Sequence, residues 1–295
     1  MDLADLLEAD SPLPASHSTE PDIETDVLII GGGGAGAAAA LSLEGSGLKT
    51  HLATKLRLGD SNTVMAEGGI QAALAENWGY ESFWLPENHF TGDGAIPEPL
   101  MLLASAAAST TKIRLATTSF LLTLRHPLQA AEQVAVLAQL SNGRVILGVG
   151  RGYAPDMLAA FNVPAKDKRQ IFKTVLDTMR RAWTGEPITM EGSSEPVTIS
   201  PLPFQKPYPP IWVGGSSDAA LRRTVRLADA WHPIRFTLDW LRDTGLPRLQ
   251  ATAEEEGKPV PALCPRIRLR IMDKHQPEAD RYCGTGTLDQ IRNDI

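Results

Sequence analysis

The sequence is poor in cysteine. Its 295 residues include two, Cys264 and Cys283, which are too few for a disulfide framework or a cysteine-based metal cluster. We therefore predict no metal site. Because stable disulfides belong to oxidising compartments, the pattern favours two free thiols in a cytoplasmic protein.

The sequence also lacks a surplus of basic charge. It has 28 Lys and Arg against 35 Asp and Glu, a formal net charge of −7. Since clustered cations are needed to neutralise nucleic-acid phosphates, we expect no nucleic-acid partner. Seven of the residues before position 25 are Asp or Glu, and the first Lys or Arg is Lys49. This start excludes a secretory signal, which requires positive charge followed by an apolar stretch.

A long apolar run is absent as well. The longest uncharged stretch, 27–43, contains four consecutive glycines and falls short of the ~18 to 20 apolar residues that span a bilayer. We therefore expect no membrane partner. The composition, 43% hydrophobic and 21% charged, is that of an ordinary globular protein. The length suits two average domains or one barrel.

The chain divides by composition into three segments. Residues 1–24 form an acidic leader rich in Ser, Pro and Thr, which we expect to be flexible. Residues 25–75 and 76–295 have the composition of folded protein. Their secondary-structure patterns differ, and each is interpreted separately below.

Residues 25–75 begin like a dinucleotide-binding unit. An apolar strand, Val27–Ile30, leads into a glycine-rich turn and then an Ala/Leu-rich helix. Gly31, Gly33 and Gly36 occupy the positions of a G-x-G-x-x-G fingerprint, where the backbone can approach a pyrophosphate closely. The acidic residue expected about 20 positions later is replaced by Thr54 and Lys55. The alternative is a glycine loop that serves only tight strand-to-helix packing.

Residues 59–73 follow as Gly-Asp-Ser-Asn-Thr-Val-Met-Ala-Glu-Gly-Gly-Ile-Gln-Ala-Ala. With Thr54 and Lys55, this stretch resembles the start of the flavoprotein subunits of succinate dehydrogenase and fumarate reductase. The resemblance implies FAD binding by a partial Rossmann-like segment, 25–75. Asn62 stands where many members carry a His that attaches FAD covalently, so no covalent link is implied. An FAD-dependent oxidoreductase of this type is one alternative function.

Residues 76–295 alternate strands with helices. The strands expected are Ser82–Leu85, Ile113–Thr117, Val145–Val149, Ile211–Gly214, Ala230–Pro233 and Ile267–Met272, and the helices are 98–109, 127–140, 167–184, 217–229 and 237–256. Such alternation predicts βαβ units and a parallel sheet. Six strands suit a barrel better than a small doubly wound domain.

Five blocks of this segment resemble the luciferase-like monooxygenase family: Trp84–Phe90, Arg125–Pro127, Leu147–Tyr153, Ala182–Gly185 and Pro209–Ser217. The resemblance implies a (β/α)8 TIM-type barrel that uses reduced FMN or coenzyme F420. It implies an oxidoreductase or monooxygenase acting on a small organic substrate by hydride transfer or with O₂. A flavin reductase and a second copy of the chain are the partners compatible with it.

The candidate site residues follow strands, where barrel enzymes carry their chemistry. The resemblance assigns the flavin phosphate to Arg151 and Ser216, with Gly214 and Gly215 allowing close backbone approach. Ser216 and Ser217 also stand at a helix start, which offers N–H groups to an anion. The alternatives are that Ser216 is only an N-cap and that Arg151 is a surface ion-pair partner.

His89 is the candidate for proton transfer, with Glu87 tuning its charge. The alternative is a structural histidine. Family members commonly have His where Asn88 stands, and an amide cannot act as a general base. This departure counts against luciferase-type oxygen chemistry.

The barrel pattern is incomplete at both ends. The family begins with a strand that this chain lacks and ends with another after the helix beginning near Gly286. Unpaired strand edges are unfavourable, so we expect Val27–Ile30 to take the first strand's place and pair with Ser82–Leu85. The expected fold is thus an incomplete barrel, truncated at its C-terminus. An inactive chimeric fragment is the remaining alternative.

The FAD hypothesis has its own test. If Gly33 lies against the pyrophosphate, the side chain of Gly33→Val blocks that approach. We expect the variant to lose its yellow colour on purification, measured by absorbance against the unaltered protein. Retention of FAD by Gly33→Val would contradict the fingerprint.

Overall fold

The structure is a computed structural model that describes residues 25–30, 39, 42–43, 46–53, 67–92, 94–278 and 281–294. The chain divides into two compact units, 1–61 and 62–295. The acidic leader and the glycines at 31, 33 and 36 lie outside the described residues, so the predictions made for them remain predictions.

The first unit contains two short parallel strands. Strand β1 (Val27–Ile30) pairs with β2 (Thr50–Ala53), and Val27 lies opposite Thr50. The expectation that Val27–Ile30 would pair with Ser82–Leu85 is wrong, because the two strands lie in separate sheets. The reason lies within the unit, where β2 supplies a parallel partner along the full length of β1.

The second unit alternates helices and strands along the chain. In order, the elements are α1 (Glu67–Asn77), β3 (Ser82–Leu85), α2 (Pro99–Ser109), β4 (Arg114–Leu121), α3 (Pro127–Leu140), β5 (Val145–Gly150), α4 (Pro155–Ala160), α5 (Lys168–Trp183), β6 (Ile211–Gly214), α6 (Asp218–Leu227), β7 (Ala230–His232), α7 (Leu238–Trp240), α8 (Leu246–Glu255), β8 (Ala262–Leu263), β9 (Arg270–Ile271), β10 (Thr285–Gly286) and α9 (Leu288–Asn293). A π-helical turn, 241–245, joins α7 to α8. Among the described residues, no helix has the length and apolar character needed to cross a bilayer.

Local sequence explains several of these boundaries. Helices α2, α3 and α4 each begin at a proline, at positions 99, 127 and 155. Proline is favoured at the first helical position, because its fixed φ suits the helix and no N–H is needed there. The α2 and α3 bounds agree with the helices expected from the sequence.

Six strands of the described chain form one parallel sheet in the order β3-β4-β5-β6-β7-β8. Each strand pairs with the next in sequence, so every connection passes over the same face of the sheet. This is the topology of a TIM-type barrel, and the fold class expected from the sequence is confirmed. The barrel is incomplete, with β3 and β8 at the two edges of the sheet.

The sheet is strongly curved. Adjacent strands lie about 4.8 Å apart, so β4 and β7 would be separated by roughly 14 Å in a flat sheet. In the structure, Thr118 Oγ1 on β4 lies 3.0 Å from His232 Nε2 on β7. The ring of Trp84 on β3 stacks on that of His232, with the centroids 5.3 Å apart. These side chains meet because the inner face of the sheet is concave.

The outer face of the sheet packs on helices. Leu115, Leu147 and Val213 are buried against the helical layer, and each buried side chain of this kind contributes about 1.5–3 kcal/mol. Trp183 at the end of α5 is fully buried and donates its indole N–H to the Ala131 carbonyl on α3. The helices are thereby fixed to one another as well as to the sheet.

The sixth strand differs from the prediction. Ile267–Met272 was expected to join the sheet, but β8 is Ala262–Leu263, and Arg270–Ile271 pairs with Thr285–Gly286 in a separate two-stranded sheet. The N–H groups of residues 262, 264 and 266 donate to β7 and its flanking residues. Pro265 falls between the donating positions, so its missing N–H does not interrupt the ladder.

Glu76 connects α1 to the turn before β4. Its carboxylate accepts the N–H groups of Thr111, Lys112 and Ile113. The hydrogen bond from Ile113, aided by those from Lys112 and Thr111, outweighs desolvation and lowers the pKa of Glu76 from 4.5 to about 2. The ionised carboxylate therefore stabilises the packing of α1 against the sheet.

The lowered pKa makes this contact acid-sensitive. Its stabilisation is complete above the pKa of an unfolded Glu, about 4.3, and is lost as the pH falls towards 2. We expect Glu76→Gln to lower the urea midpoint at pH 7 and to flatten its decline between pH 5 and pH 3. The control is Glu191→Gln at an exposed position. An identical acid profile for Glu76→Gln and the unaltered protein would contradict this role.

Candidate active site at the carboxyl edge of the sheet

The candidate residues lie at one edge of the curved sheet. Parallel strands all end on the same side, so Glu87 and His89 after β3, Arg151 after β5 and Gly215 after β6 share the carboxyl edge. The structure brings these sequence-predicted residues together on that edge. They form two centres of different charge, one around Glu87 and one around Arg151.

Glu87 is the centre of a hydrogen-bond cluster. Its side chain is fully buried, and its Oε1 lies 2.7 Å from Arg125 Nη2 and 2.9 Å from His89 Nε2. Its Oε2 accepts the Leu121 N–H at 2.8 Å. Arg125 also contacts Glu98 Oε1, at 2.8 Å. A buried carboxylate needs such compensation, so Glu87 is an anchor whose oxygens are occupied by donors.

The cluster determines the tautomer of His89. An ionised carboxylate only accepts hydrogen bonds, so Nε2 of His89 carries the hydrogen that points to Glu87. Nδ1 is then the nitrogen with a free lone pair, and it makes no hydrogen bond within the described part of the chain. The rings of Phe90 and Phe161 lie against the imidazole, at 5.9 and 4.8 Å between centroids. Nδ1 is therefore a base in an apolar setting.

Asn88 has a structural partner. Its side-chain Oδ1 accepts the backbone N–H of Ile96. The backbone N–H of Asn88 donates to the Ile96 carbonyl. These bonds close the loop that carries Glu87 and His89. The amide therefore orients the loop, in agreement with the inference that it is not a base.

The second centre is an unpaired arginine cluster. Burial, followed by the charges of Arg151 and Arg169, lowers the pKa of Arg223 to about 10. Burial and the charge of Arg169 also lower the pKa of Arg151. None of the three forms an ion pair with a described residue, and Nε of Arg223 is buried without a hydrogen-bond partner. These three arginines therefore carry positive charge without a counter-charge among the described residues, which makes them a candidate site for an anion.

The backbone turn beside these arginines is tightly packed. A Cβ at Gly214 would lie 2.8 Å from the His232 carbonyl oxygen, and Gly215 has a φ of +105°, a conformation that favours glycine. Arg223 Nη2 lies 3.4 Å from the Gly214 carbonyl. Close packing at Gly214 and the positive φ at Gly215 therefore explain why glycine occupies both positions of this turn.

The two serines of this turn have different roles. Ser217 is the N-cap of α6, and its Oγ accepts the N–H of Ala220 at 3.3 Å. The sequence analysis considered Ser216 as the cap, whereas the structure places the cap one residue later. Ser216 is exposed, and its hydroxyl makes no hydrogen bond with any described residue. It is the serine that remains available to a ligand.

Sequence reasoning missed three arginines. Arg125 belongs to a quoted block, but no role was inferred for it. Arg223 lies in α6, which follows the Gly214–Ser217 turn, and no feature of the sequence distinguished it. Arg169 lies in the first turn of α5, 18 residues after Arg151. Only the tertiary structure shows that its charge acts on Arg151.

A layer of rings lies inside the barrel below this edge. Trp84, Trp212 and His232 have centroids 4.6 to 5.7 Å apart. His232 Nδ1 lies 2.7 Å from the Cys264 carbonyl and must donate to it, so Nε2 accepts from the Thr118 hydroxyl. Burial, together with the charge of Arg266, outweighs the Cys264 bond and lowers the pKa of His232. The layer is a neutral floor in which both nitrogens of His232 have hydrogen-bond partners.

This floor makes stability pH-dependent. An unfolded His takes up a proton near pH 6.5, whereas the buried, neutral His232 resists protonation. Its contribution to stability is therefore present above about pH 6.5 and declines as the pH falls below that value. We expect His232→Gln to lower the urea midpoint at pH 7.5 but to show a smaller further loss at pH 5.5.

The control for this prediction is His126→Gln, which alters an exposed histidine outside the barrel. It should keep the pH dependence of the unaltered protein. If His232→Gln and the unaltered protein lost stability in parallel between pH 7.5 and 5.5, the neutral floor would be refuted.

Comparison with known proteins identifies related sequences. The sequence profile of the family described as luciferase-like monooxygenase matches residues 49–282. The y4vJ protein of Sinorhizobium fredii is 32% identical over 207 residues, covering 68% of this chain and 58% of that protein. The Mb0978c protein of Mycobacterium bovis is 33% identical over 227 residues, covering 64% of this chain and 79% of that protein.

Solved structures show the same fold. The monooxygenase RslO1 from Streptomyces bottropensis has a TM-score of 0.63 at 27% identity, over 71% of this chain and 66% of that one. The oxygenating constituent of 3,6-diketocamphane monooxygenase of Pseudomonas putida, in complex with FMN, has a TM-score of 0.63 at 24% identity, over 72% and 64%. An F420-dependent secondary alcohol dehydrogenase has a TM-score of 0.58 at 19% identity, over 70% and 64%.

Two qualifications of the sequence analysis follow from these matches. The chain spans less than two thirds of the length of y4vJ and of these solved structures. The resemblance of 25–75 to succinate dehydrogenase and fumarate reductase subunits finds no support. The matching profile already begins at residue 49, inside that segment.

Proposed function

The chain belongs to the luciferase-like monooxygenase family, and on that premise we propose that it is an oxidoreductase that binds reduced FMN or coenzyme F420 at the carboxyl edge of its barrel. Its substrate is a small organic molecule. The reaction is either hydride transfer or oxygenation with O₂.

The arginine cluster is the observation that carries the proposal. A phosphate bound there would supply the missing counter-charge for Arg151, Arg169 and Arg223, and the vacant Nε of Arg223 would gain an acceptor. Charge-assisted bonds from guanidinium groups to phosphate are among the strongest hydrogen bonds in proteins. The Gly214–Gly215 turn lies beside Arg223, and Ser216 adds a hydroxyl. The residues present therefore fit the anionic tail of a flavin.

Relatives support both cofactors. FMN is present in the 3,6-diketocamphane enzyme, and coenzyme F420 serves the secondary alcohol dehydrogenase. Both molecules carry a phosphate next to a planar ring system, which is the chemistry that the arginine cluster selects. FAD binding by Gly31, Gly33 and Gly36 stays a sequence-based prediction that these relatives do not support. A flavin reductase and a second copy of the chain remain proposed partners.

The protein's own residues perform three tasks in this function. The bound cofactor supplies the electrons. Arg151, Arg223 and Ser216 hold its phosphate, while the rings of Trp84, Trp212 and His232 close the barrel below and exclude water from that side. His89 accepts or delivers a proton at Nδ1, because Glu87 holds the hydrogen on Nε2.

The phosphate assignment can be tested by comparing FMN with riboflavin, which lacks the phosphate. Losing a hydrogen bond to a charged group costs about 1.5–3 kcal/mol, so we expect Arg151→Gln and Arg223→Gln each to weaken FMN binding by roughly 10- to 100-fold. Riboflavin binding should change little. Thermal shift and fluorescence titration measure both, with coenzyme F420 and FAD included in the same series.

Arg181→Gln is the matched control, since Arg181 is exposed and paired with Glu186. It should leave FMN binding unchanged. Equal losses of FMN and riboflavin in the arginine variants would refute a phosphate site. Stabilisation by none of the cofactors, together with an uncooperative thermal transition, would instead indicate an inactive fragment.

A further inference from the structure

Arg125 lies between two carboxylates of the His89 centre. Its Nη2 contacts Glu87 Oε1 at 2.7 Å, and its Nη1 contacts Glu98 Oε1 at 2.8 Å. Its guanidinium carbon sits 4.7 Å from the centroid of the Phe120 ring. Its side chain is 13% exposed, against 0% for Glu87 and 39% for Glu98. One cation therefore serves two anions that differ in burial.

Arg125 and His89 share one acceptor atom. Both donate to Oε1 of Glu87, so the charge that the imidazole senses is that of Glu87 partly neutralised by Arg125. Within the described part of the chain, the rings of Phe90 and Phe161 also lie against the imidazole. Helix α4, which precedes Phe161, carries Asp156 in its exposed first turn, and the exposed His126 follows Arg125 along the chain.

We propose that Arg125 is a positioning residue of the active site: by dividing its charge between Glu87 and Glu98, it sets how readily His89 accepts a second proton and keeps Nδ1 available as a base. The inference rests on the proposed function only for the use made of that base. Without Arg125, the full charge of Glu87 would favour the doubly protonated ring, which has no free lone pair.

This role requires the planar guanidinium group of arginine, which has several N–H donors. Arginine presents separate N–H groups to two acceptors in a fixed plane, whereas a lysine ammonium is a point charge. Glu98 is the weaker, more exposed partner. Without the charge of Glu98, Arg125 acts on Glu87 alone, and the negative charge at His89 decreases. Without Arg125, the negative charge at His89 increases. Substitutions of Glu98 and Arg125 must therefore act on His89 in opposite directions.

The test is an NMR pH titration of the histidine ring nitrogens in the full-length protein without added cofactor. The His89 signal is identified by its absence in His89→Gln. Two unit charges roughly 5 Å apart in a medium of effective dielectric constant about 20 interact strongly enough to move a titration midpoint by about two pH units. We expect Arg125→Gln to move the His89 midpoint to higher pH by about that amount. Glu98→Gln should move it to lower pH by less.

Arg125→Lys should restore part of the shift, and Arg226→Gln, which breaks the exposed pair with Glu256, should leave His89 unaffected. Arg125→Gln leaves a buried carboxylate short of a donor. If it does not fold, Glu98→Gln still decides, since an unchanged or raised midpoint overturns the proposal. Shifts in the same direction for Arg125→Gln and Glu98→Gln also overturn it. Because no cofactor is present, the outcome is independent of whether FMN binds.

Discussion

The parallel ladder from β3 to β8 is the constraint on which the site depends. Parallel pairing sends every strand's carboxyl end to one edge, and the curvature of the sheet turns that edge into a rim. The contact between Thr118 and His232 shows that curvature directly, because it joins strands three places apart. Residues separated by more than 120 positions in sequence, such as Glu87 and Ser216, are thereby placed on one rim.

The rim carries two groups of charged residues, and they differ in whether their charges are paired. Around Glu87, the described charges of Glu87, Arg125 and Glu98 are paired at close range, and the carboxylate determines the tautomer of His89. Around Arg151 and Arg223, positive charge is left without a counter-charge among the described residues, and this arrangement is unfavourable by itself. The stretch that follows β5 begins with Arg151 and reaches Phe161 beside His89. Short connections thus place a matched centre suited to proton transfer near an unmatched one suited to ligand binding.

The interior of the barrel separates this rim from the opposite end. The inward position on β5 between Trp84 and Trp212 is Gly148, where a Cβ would lie 2.0 Å from the Thr117 carbonyl oxygen, so close approach of β4 and β5 requires glycine there. His232 completes the layer by satisfying both of its nitrogens within the protein. The layer needs no ligand for its own stability, and this distinguishes it from the arginine centre above it.

Local sequence was sufficient for the alternation of strands and helices, because hydrophobic periodicity and prolines such as Pro99 and Pro127 act over a few residues. It also placed Glu87, His89 and Arg151 after strands. Tertiary structure alone decided the roles of Arg125 and Arg223, the transfer of the cap to Ser217, and the strand at Ala262 in place of Ile267. Those outcomes depend on which charges and N–H groups meet across the curved sheet, and such encounters between distant segments leave no periodic signal in the chain.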